Sequence, residues 1–519
     1  MIEAREKLDE KVGMQARMDA LQSENAQLRE RIEWFKRQLF GPKSEKRLEE
    51  VSADQLTLFE ALQASADSAE PRISVPSHER RKYRSGEEVN DTGLRFGKEV
   101  PTRTIRLSCP QLQGPQADQY EVIGIKESLR LARQPGSHVV LRYERPVVKR
   151  KDEAKLVTTP APVGVLDHAQ ADASMLAGML VDKFMYHCPL YRQHQRLTDE
   201  GITLSRSTLD QWAQRTIGLL TPVAAALQRL IVNGTHIKID ETPIKAGRTK
   251  TKAGQGKMKS GWLWPMLGQD GDIAFVYAAT RGAVVLKEIL GTGWKGTLQS
   301  DGYEVYARYS ASEPGCTHAL CWAHTRRALL KAEASQPEIA QQGLGMIRAL
   351  YRLEAQLRQQ GADAAAIVQV RQTESAKIVD QFFDWVRAQI HDPGLLPSSP
   401  LAKALGYASE REKGLRAFLS DAWVALDTND LERALRVVPL GKKNWLFCTT
   451  EMGAQQVAVI QTLLASCRAH GIDAYTYLVD VLQRINTIPA SEIDDLTPRR
   501  WLKRFGHSPL RSDLYHARQ

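Results

Sequence analysis

The stretch from 235 to 333 constrains this chain most, because its elements alternate in an order that few sheets can satisfy. HIKIDE (236–241) reads as a first strand, and GWLWPMLG (261–268) with IAFVYAA (273–279) as a hairpin around Gln269-Asp270-Gly271-Asp272. A short helix follows over 282–290, then a fourth strand in GTLQSD (296–301) and a helical turn in YEVYARY. HALCWAH (318–324) is a fifth strand leading into TRRALLKAEA. The order β-β-β-α-β-α-β implies a mixed α/β sheet in which the first and fourth strands are neighbours. Asp240 ends the first strand and Asp301 follows the fourth, so the two carboxylates would face each other where a buried sheet meets solvent.

This order is that of a ribonuclease-H-like domain. A third acid, Glu432, lies on the helical stretch DTNDLERALR, far beyond the fifth strand. Helix-rich sequence such as GMIRALYRLEAQLRQQ and ESAKIVDQFFDWVRAQI fills the gap, so a helical insertion interrupts the domain before its last helix. Three carboxylates could hold two Mg²⁺ ions, which prefer oxygen ligands, for an in-line displacement at phosphorus. Asp240 would bridge both ions, with Asp301 and Glu432 each completing one side. Each acid alone has a bland alternative: strand-end aspartates cap turns, and Glu432 could pair with Arg436 one helical turn on. Asp427 and Asp430 are rivals for the third position, and Glu432 is preferred because Asn429, Arg433 and Arg436 share its helix.

At 519 residues the chain needs about two to four domains. Hydrophobic residues at 42% and charged residues at 25% are ordinary for a soluble protein. No apolar run reaches the length that spans a membrane, and MIEAREKLDEK is unlike a signal peptide, so a cytoplasmic, nucleoid-associated location is expected. The six cysteines are scattered without a CxxC pair, which argues against a zinc ribbon or a disulfide framework. Cys321 and His324 have C-x-x-H spacing, but no second ligand pair lies nearby, so zinc is not expected. The net charge of +10 is clustered in HERRKYR (78–84), RPVVKRK (145–151), RTKTKAGQGKMK (248–259) and RRWLKR (499–504). Several such clusters around an acidic site suit a phosphate backbone.

Residues 1–36 carry a heptad, with Met14, Leu21, Leu28 and Phe35 on one seam and Met18, Asn25 and Ile32 on the other. Self-association through this zipper is expected. The anticipated layout is a coiled coil over 1–47, a basic linker over 48–100 and a small β-rich module over 101–165. A helical, helix-turn-helix-like region follows over 166–233, then the first part of the core (234–333), the helical insertion (334–420), the second part of the core (421–486) and a basic C-terminal element (487–519). In the helical region Gly201 makes a turn and Ser205 or Ser207 caps the next helix, which places Arg206, Thr208 and Gln211 early on a candidate reading helix. Arg433 and Arg436, with Lys442, Lys443, Asn444 and Trp445 in PLGKKNWLF, are candidates for gripping the strand being cut; Trp445 could stack on an unpaired base. His324, at the expected strand exit, and Arg326 could support the acids.

LFGPKSEK, HCPLYRQHQRLTDEGITLSRSTLDQW, IKIDETP, SDGYEVY, CWAHTRRAL, NDLERALRVVPLGKKNWLF and IDDLTPRRW resemble the transposases of the insertion sequence 66 family, the subunit often called transposase C. The resemblance runs over most of the chain. It implies a DDE transposase with Asp240, Asp301 and Glu432 as its acids, using two Mg²⁺ ions for which Mn²⁺ could substitute. Its DNA partners would be the element's terminal inverted repeats and a target duplex, and accessory proteins of the same element would work beside it. Family members commonly carry a Cys-rich zinc module before the central helices, whereas residues 101–150 hold only Cys109, so zinc does not carry over. Thr428 stands where the family often has Asn. Alternatives from other classes are a nuclease or resolvase of the same fold that cuts without joining, and a non-catalytic DNA-binding regulator.

Overall fold

The computed structural model describes residues 95–96, 100–113, 117–134, 136–150, 156–251, 254–445, 448 and 450–516. The heptad over 1–36 and most of the linker expected over 48–100 lie outside these, while residues 95–96 of that linker form a strand and Val100 is buried. The first described elements are β1 (Arg95–Phe96), β2 (Thr102–Arg106), β3 (Tyr120–Gln134), β4 (Ser137–Arg150) and β5 (Leu156–Thr158). β3 and β4 form a long antiparallel hairpin, and β2 and β5 both pair with β4. Buried Val139, Leu141 and Tyr143 give this sheet its own small core, closed by Leu514 near the end of the chain.

α1 (Ala173–Phe184) and α2 (Leu190–Asp199) come next, then β6 (Ile202–Thr203) and α3 (Arg206–Val232). Ser205 caps α3 by accepting from Thr208 N at 3.0 Å, which decides between the two candidate serines. Gly201 turns the chain with φ +79°, a region glycine enters without penalty. The turn is more than a loop: β6 pairs antiparallel with β1. By length and composition α3 could cross a membrane, but it buries Leu209, Trp212, Ile217, Leu220, Val223 and Leu227 inside the fold.

The principal sheet consists of β7 (His236–Ile239), β8 (Thr242–Thr251), β9 (Gly254–Gly268), β10 (Ile273–Ala278), β11 (Gly296–Ser300) and β12 (Cys316–Leu320). α4 (Ala283–Leu290) precedes β11 and α5 (Glu304–Ser312) follows it. The strand order is β10-β9-β7-β11-β12. β7, β11 and β12 are mutually parallel, β9 runs antiparallel to β7, and β10 runs antiparallel to β9. β7 and β8 both pair with β9, meeting it at residues 266–268 and 254–263, with Asp240 and Glu241 at the break between them. Side chains alternate across the sheet. Ile237, Ile239, Leu298, Trp264 and Met266 pack into one core with α4 and α5. The opposite face presents His236, Lys238, Thr297 and Gln299 from β7 and β11, and Leu267 and Ile273 from β9 and β10.

After β12 come α6 (Trp322–Ala332), α7 (Pro337–Gln359), α8 (Ala364–Val370), α9 (Ala376–Ile390), α10 (Pro400–Glu410) and α11 (Glu412–Arg416). Their core centres on Trp322, which meets Phe382 and Phe418 edge-on and donates its Nε1 proton to Leu415 O at 2.9 Å. Residues 371–375 take the π-helical form between α8 and α9, and this irregularity turns Arg371 inward. The buried guanidinium holds Glu354 through two bonds of 2.8 Å and donates to Phe418 O and Asp421 O. That anchors the chain as it returns to the sheet. α12 (Asn429–Leu435), α13 (Val437–Trp445), α14 (Glu451–Ala469), α15 (Ala474–Arg484) and α16 (Pro498–Arg504) complete the fold. α14 is docked on β10 by Ser466 Oγ and Thr462 Oγ1, which accept from Ile273 N and Phe275 N at 2.8 and 2.9 Å.

One local reading changes, that of CWAH, and two basic runs gain a secondary structure. The basic run RTKTKAGQGKMK belongs to the β8–β9 hairpin, where backbone pairing and not apolar alternation makes the strands. The fifth strand stops at Leu320, so CWAH begins α6 and His324 sits in the first turn of a helix, not at a strand exit. PLGKKNW lies in helix α13. Trp322→Ala would leave a large void and an orphaned carbonyl in the helical core, and should lower unfolding free energy by about 3–5 kcal/mol in guanidinium titrations. A loss below about 1 kcal/mol would show that this core collapses around the gap.

Candidate active site

The parallel register of β7 and β11 pairs His236 with Thr297, Ile237 with Leu298 and Lys238 with Gln299. One step beyond each strand end stand Asp240 and Asp301, side by side and on the same face as His236, Lys238, Thr297 and Gln299. That face is crossed by residues 421–435, which are fixed to it rung by rung. Asp421 Oδ2 accepts from His236 Nε2 at 2.6 Å. Gln299 Nε2 donates to Ala425 O at 2.6 Å and Lys238 Nζ to Asp430 at 2.6 Å. Leu426 O takes the Trp322 N–H at 2.8 Å, tying in the start of α6. α12 is thereby laid over the strand ends with Glu432 on it.

The acids differ in their partners. Asp240 Oδ1 accepts the Glu241 N–H at 2.7 Å, and Asp301 Oδ1 accepts the Tyr303 N–H at 2.9 Å. Glu241, buried behind the strand break, accepts from Arg281 Nε at 2.7 Å and from Tyr306 OH. Arg281 is held in turn over the rings of Tyr303 and Trp262. Glu432 is paired through both oxygens with Arg327 Nη2, at 2.5 and 2.7 Å, and lies 3.8 Å from His324 Nε2. Among the described residues no lysine or arginine pairs with Asp240 in this way. Burial drives its carboxyl up to about 7, and the charges of Glu241 and Asp301 push the same way against His324. His324 accepts from Arg327 Nη1 at 3.2 Å through Nε2, and its buried Nδ1 has no partner among the described residues.

Asp240 and Asp301 are thus brought together: the charge of Asp301 acts on Asp240, and both act on the buried Tyr306 hydroxyl. Glu432 reaches the same neighbourhood through α6, since His324 and Arg327, which contact it, both feel the charge of Asp240. It does not join the aspartates directly. Among the described residues no three His, Cys, Asp or Glu side chains converge closely enough to hold a metal ion. The rivals for the third acid are committed elsewhere, Asp430 to Lys238 and Asp427 to Tyr351 OH and Asn429. Arg326 is exposed, and the guanidinium that holds Glu432 belongs instead to Arg327. Helical spacing from His324 would have found it, because residues i and i+3 share a face. Thr428 is buried and hydrogen-bonds Cys321.

The candidate nucleic-acid contacts are dispersed. Arg206 and Gln211 are exposed on the first turns of α3, with Arg206 over the Tyr191 ring, while Thr208 is tied into the Ser205 cap. Arg433 and Arg436 are exposed on and just after α12. Lys442 is drawn onto the carbonyl of Pro243, Lys443 is exposed, and exposed Asn444 makes a long bond to Leu440 O at 3.4 Å. Trp445 closes α13, and its side chain lies outside the described residues.

A mixed sheet with paired acids at its parallel strand ends, framed by helices and basic loops, is the class of architecture on which comparison with known families bears. Residues 168–456 match the model described as Transposase IS66 family, residues 462–499 the IS66 C-terminal element, and residues 27–87 Transposase C of IS166 homeodomain. The chain belongs to the IS66 family of transposases. Similar proteins include three from Sinorhizobium fredii, each described only as uncharacterized. y4hP is 28% identical over 91% of this chain and 88% of its own length. y4jD is 31% identical over 70% and 73%, and y4qI 29% identical over 73% and 71%.

A carboxyl that titrates near 7 in the fold and near 3.8 when unfolded weakens the fold as pH rises. Below pH 3.8 the group is neutral in both states and costs nothing. Between there and about 7 the unfolded chain has released its proton while the folded site keeps it, and above 7 the penalty is complete. In chelator-treated protein Asp240→Asn should therefore be more stable than wild type at about pH 8, by on the order of 3 kcal/mol, and matched to it at about pH 4. Denaturant midpoints at both pH values check this, and an equal difference at the two would contradict it.

Proposed function

We propose that this transposase cuts DNA by metal-dependent phosphodiester hydrolysis and joins it by transesterification, with Asp240, Asp301 and Glu432 as its acids. The observation that carries the reading is the parallel β7–β11 pair that sets two aspartates side by side at one sheet end, under a helix bearing a third acid. The strand order, three parallel strands flanked by an antiparallel pair, supports reading the core as ribonuclease-H-like. The basic surface around it suits terminal inverted repeats and a target duplex. Cytoplasmic action at the nucleoid and self-association through the N-terminal heptad belong to the same reading, as do accessory proteins of the same element.

The donor set fits a hard cation in part. Asp240 and Asp301 supply carboxyl oxygens, the donors Mg²⁺ or Mn²⁺ prefers, and a cation there would favour the charged form of Asp240 that burial disfavours. Glu241 is spent on Arg281 and Tyr306. Glu432 accepts two bonds from Arg327, so ligation by Glu432 competes with that pair. When bound, Mg²⁺ would polarise the scissile phosphate and lower the pKa of the attacking water or 3′-hydroxyl. The chain's own residues do the remaining work. Asp240 and Asp301 fix the reacting end of the sheet, His324 offers a ring nitrogen beside Asp240, and Arg327 is placed to hold a phosphate oxygen once Glu432 turns away.

Asp240→Asn or Asp301→Asn should reduce Mg²⁺-dependent cleavage of end-bearing duplexes at least about 100-fold while gel-shift affinity changes little. Retained cleavage would remove that residue from the site. A pre-cut end offered with plasmid target separates joining from cutting: a nuclease would never transfer it. Without any DNA, millimolar MgCl₂ should raise the melting temperature of wild type more than that of Asp240→Asn. Equal shifts would place the cation elsewhere.

A further inference from the structure

A cleft of about 590 Å³ opens between α12 and α14 on the same sheet face as Asp240 and Asp301. Its floor is Leu267 and Ile273, and Phe184, Val437, Leu464 and Ala465 wall it. Two guanidiniums stand at its rim. Arg433 follows Glu432 on α12, and Arg468 projects from the last turn of α14. Both are exposed, and among the described residues neither is paired with a carboxylate. The rim acid, Asp430, is already neutralised by Lys238. A largely apolar cleft of ligand-binding size, with unpaired arginines at its rim, is complementary to a group that is apolar at one end and anionic at the other, as a nucleotide is.

We infer that this cleft between α12 and α14 binds an unpaired nucleotide of the DNA substrate, its base against Leu267, Ile273 and Leu464 and its flanking phosphates on Arg433 and Arg468. The inference rests on the proposed action on DNA and adds where one nucleotide leaves the stack. Extruding a base costs unstacking energy, which an apolar slot recovers only if the base enters it. The position suits that exchange, because the helix carrying Glu432 also forms one wall. A backbone held on Arg433 would lie beside the helix turn that carries Glu432. Among the described residues no side-chain hydrogen bond or ion pair ties Arg468 to the fold.

The full-length protein is titrated with two fluorescein-labelled duplexes that differ only in one bulged thymidine, and anisotropy is read. Wild type should bind the bulged duplex about tenfold tighter than the paired one, a ratio set by one stacked base. Arg468→Ala should cut that ratio to about threefold or less, and Ala465→Trp, which fills the slot, should bring it to about one. A 2-aminopurine at the bulge should change emission on binding wild type and not Ala465→Trp. Equal binding of both duplexes by wild type overturns the cleft assignment alone. So does an unaltered preference in Ala465→Trp whose melting curve shows it folded. A preference lost in Ala465→Trp only because the protein unfolds leaves Arg468→Ala to decide, and an unchanged ratio there refutes the phosphate role. If wild type binds neither duplex, the action on DNA fails and this inference with it. If wild type shows no preference and Ala465→Trp lowers the melting temperature, the chain's own residues fill the slot and the inference fails.

Discussion

The pairing of β7 with β11 is the constraint from which the rest follows. Two short parallel strands end in register, so their terminal aspartates are adjacent whatever else the chain does. Parallel strands require a crossover, and α4 after the β9–β10 hairpin provides it while covering the apolar face. The strands are anchored by Ile237, Ile239 and Leu298, none exposed by more than 1%. Like charges held this way repel and cannot relax apart without breaking the sheet. The raised pKa of Asp240 is the signature of burial together with that forced proximity.

The opposite face is held by polar rungs. His236 with Asp421, Gln299 with the Ala425 carbonyl and Lys238 with Asp430 fasten the returning chain before α12 begins. Arg371, buried at a π-helical irregularity, grips Asp421 O from the far side. Each of these groups would be costly to bury alone, and each is satisfied by a distant residue or by backbone. The helical core around Trp322 thus controls the placement of Glu432 through these bonds. The cleft beside α12 exists because that helix is propped on rungs and does not sink onto Leu267 and Ile273.

Several elements were readable from residue pattern alone. The first strand ends just before Asp240, the hairpin turns at 269–272, and β11 ends just before Asp301, each within a residue or two of where alternation or turn chemistry placed it. The errors have physical causes. β8 and the start of β9 carry many charged side chains, so nothing in their hydrophobicity marks a strand; backbone bonds to each other make them one. Cys321, Trp322 and Ala323 are all buried, and a short apolar run looks the same whether strand or helix buries it. Arg326, expected beside the acids, is exposed, and Arg327 holds Glu432 instead. Once that run is helix, His324 and Arg327 share a face, and the contact with Glu432 follows.

What the sequence determined by itself is the order of the apolar strands and helices of the core and the aspartates that stand at two of their ends, because periodicity and turn chemistry are local. It also carries enough family-specific strings to be matched to the IS66 transposases. What only the tertiary structure decided is which charge meets which. Glu432 is neutralised by Arg327, and Glu241 by Arg281 with Tyr306, while no lysine or arginine among the described residues neutralises Asp240. Electrostatic partnership depends on distance and burial in three dimensions, and these residues lie 40 to 105 positions apart in the chain.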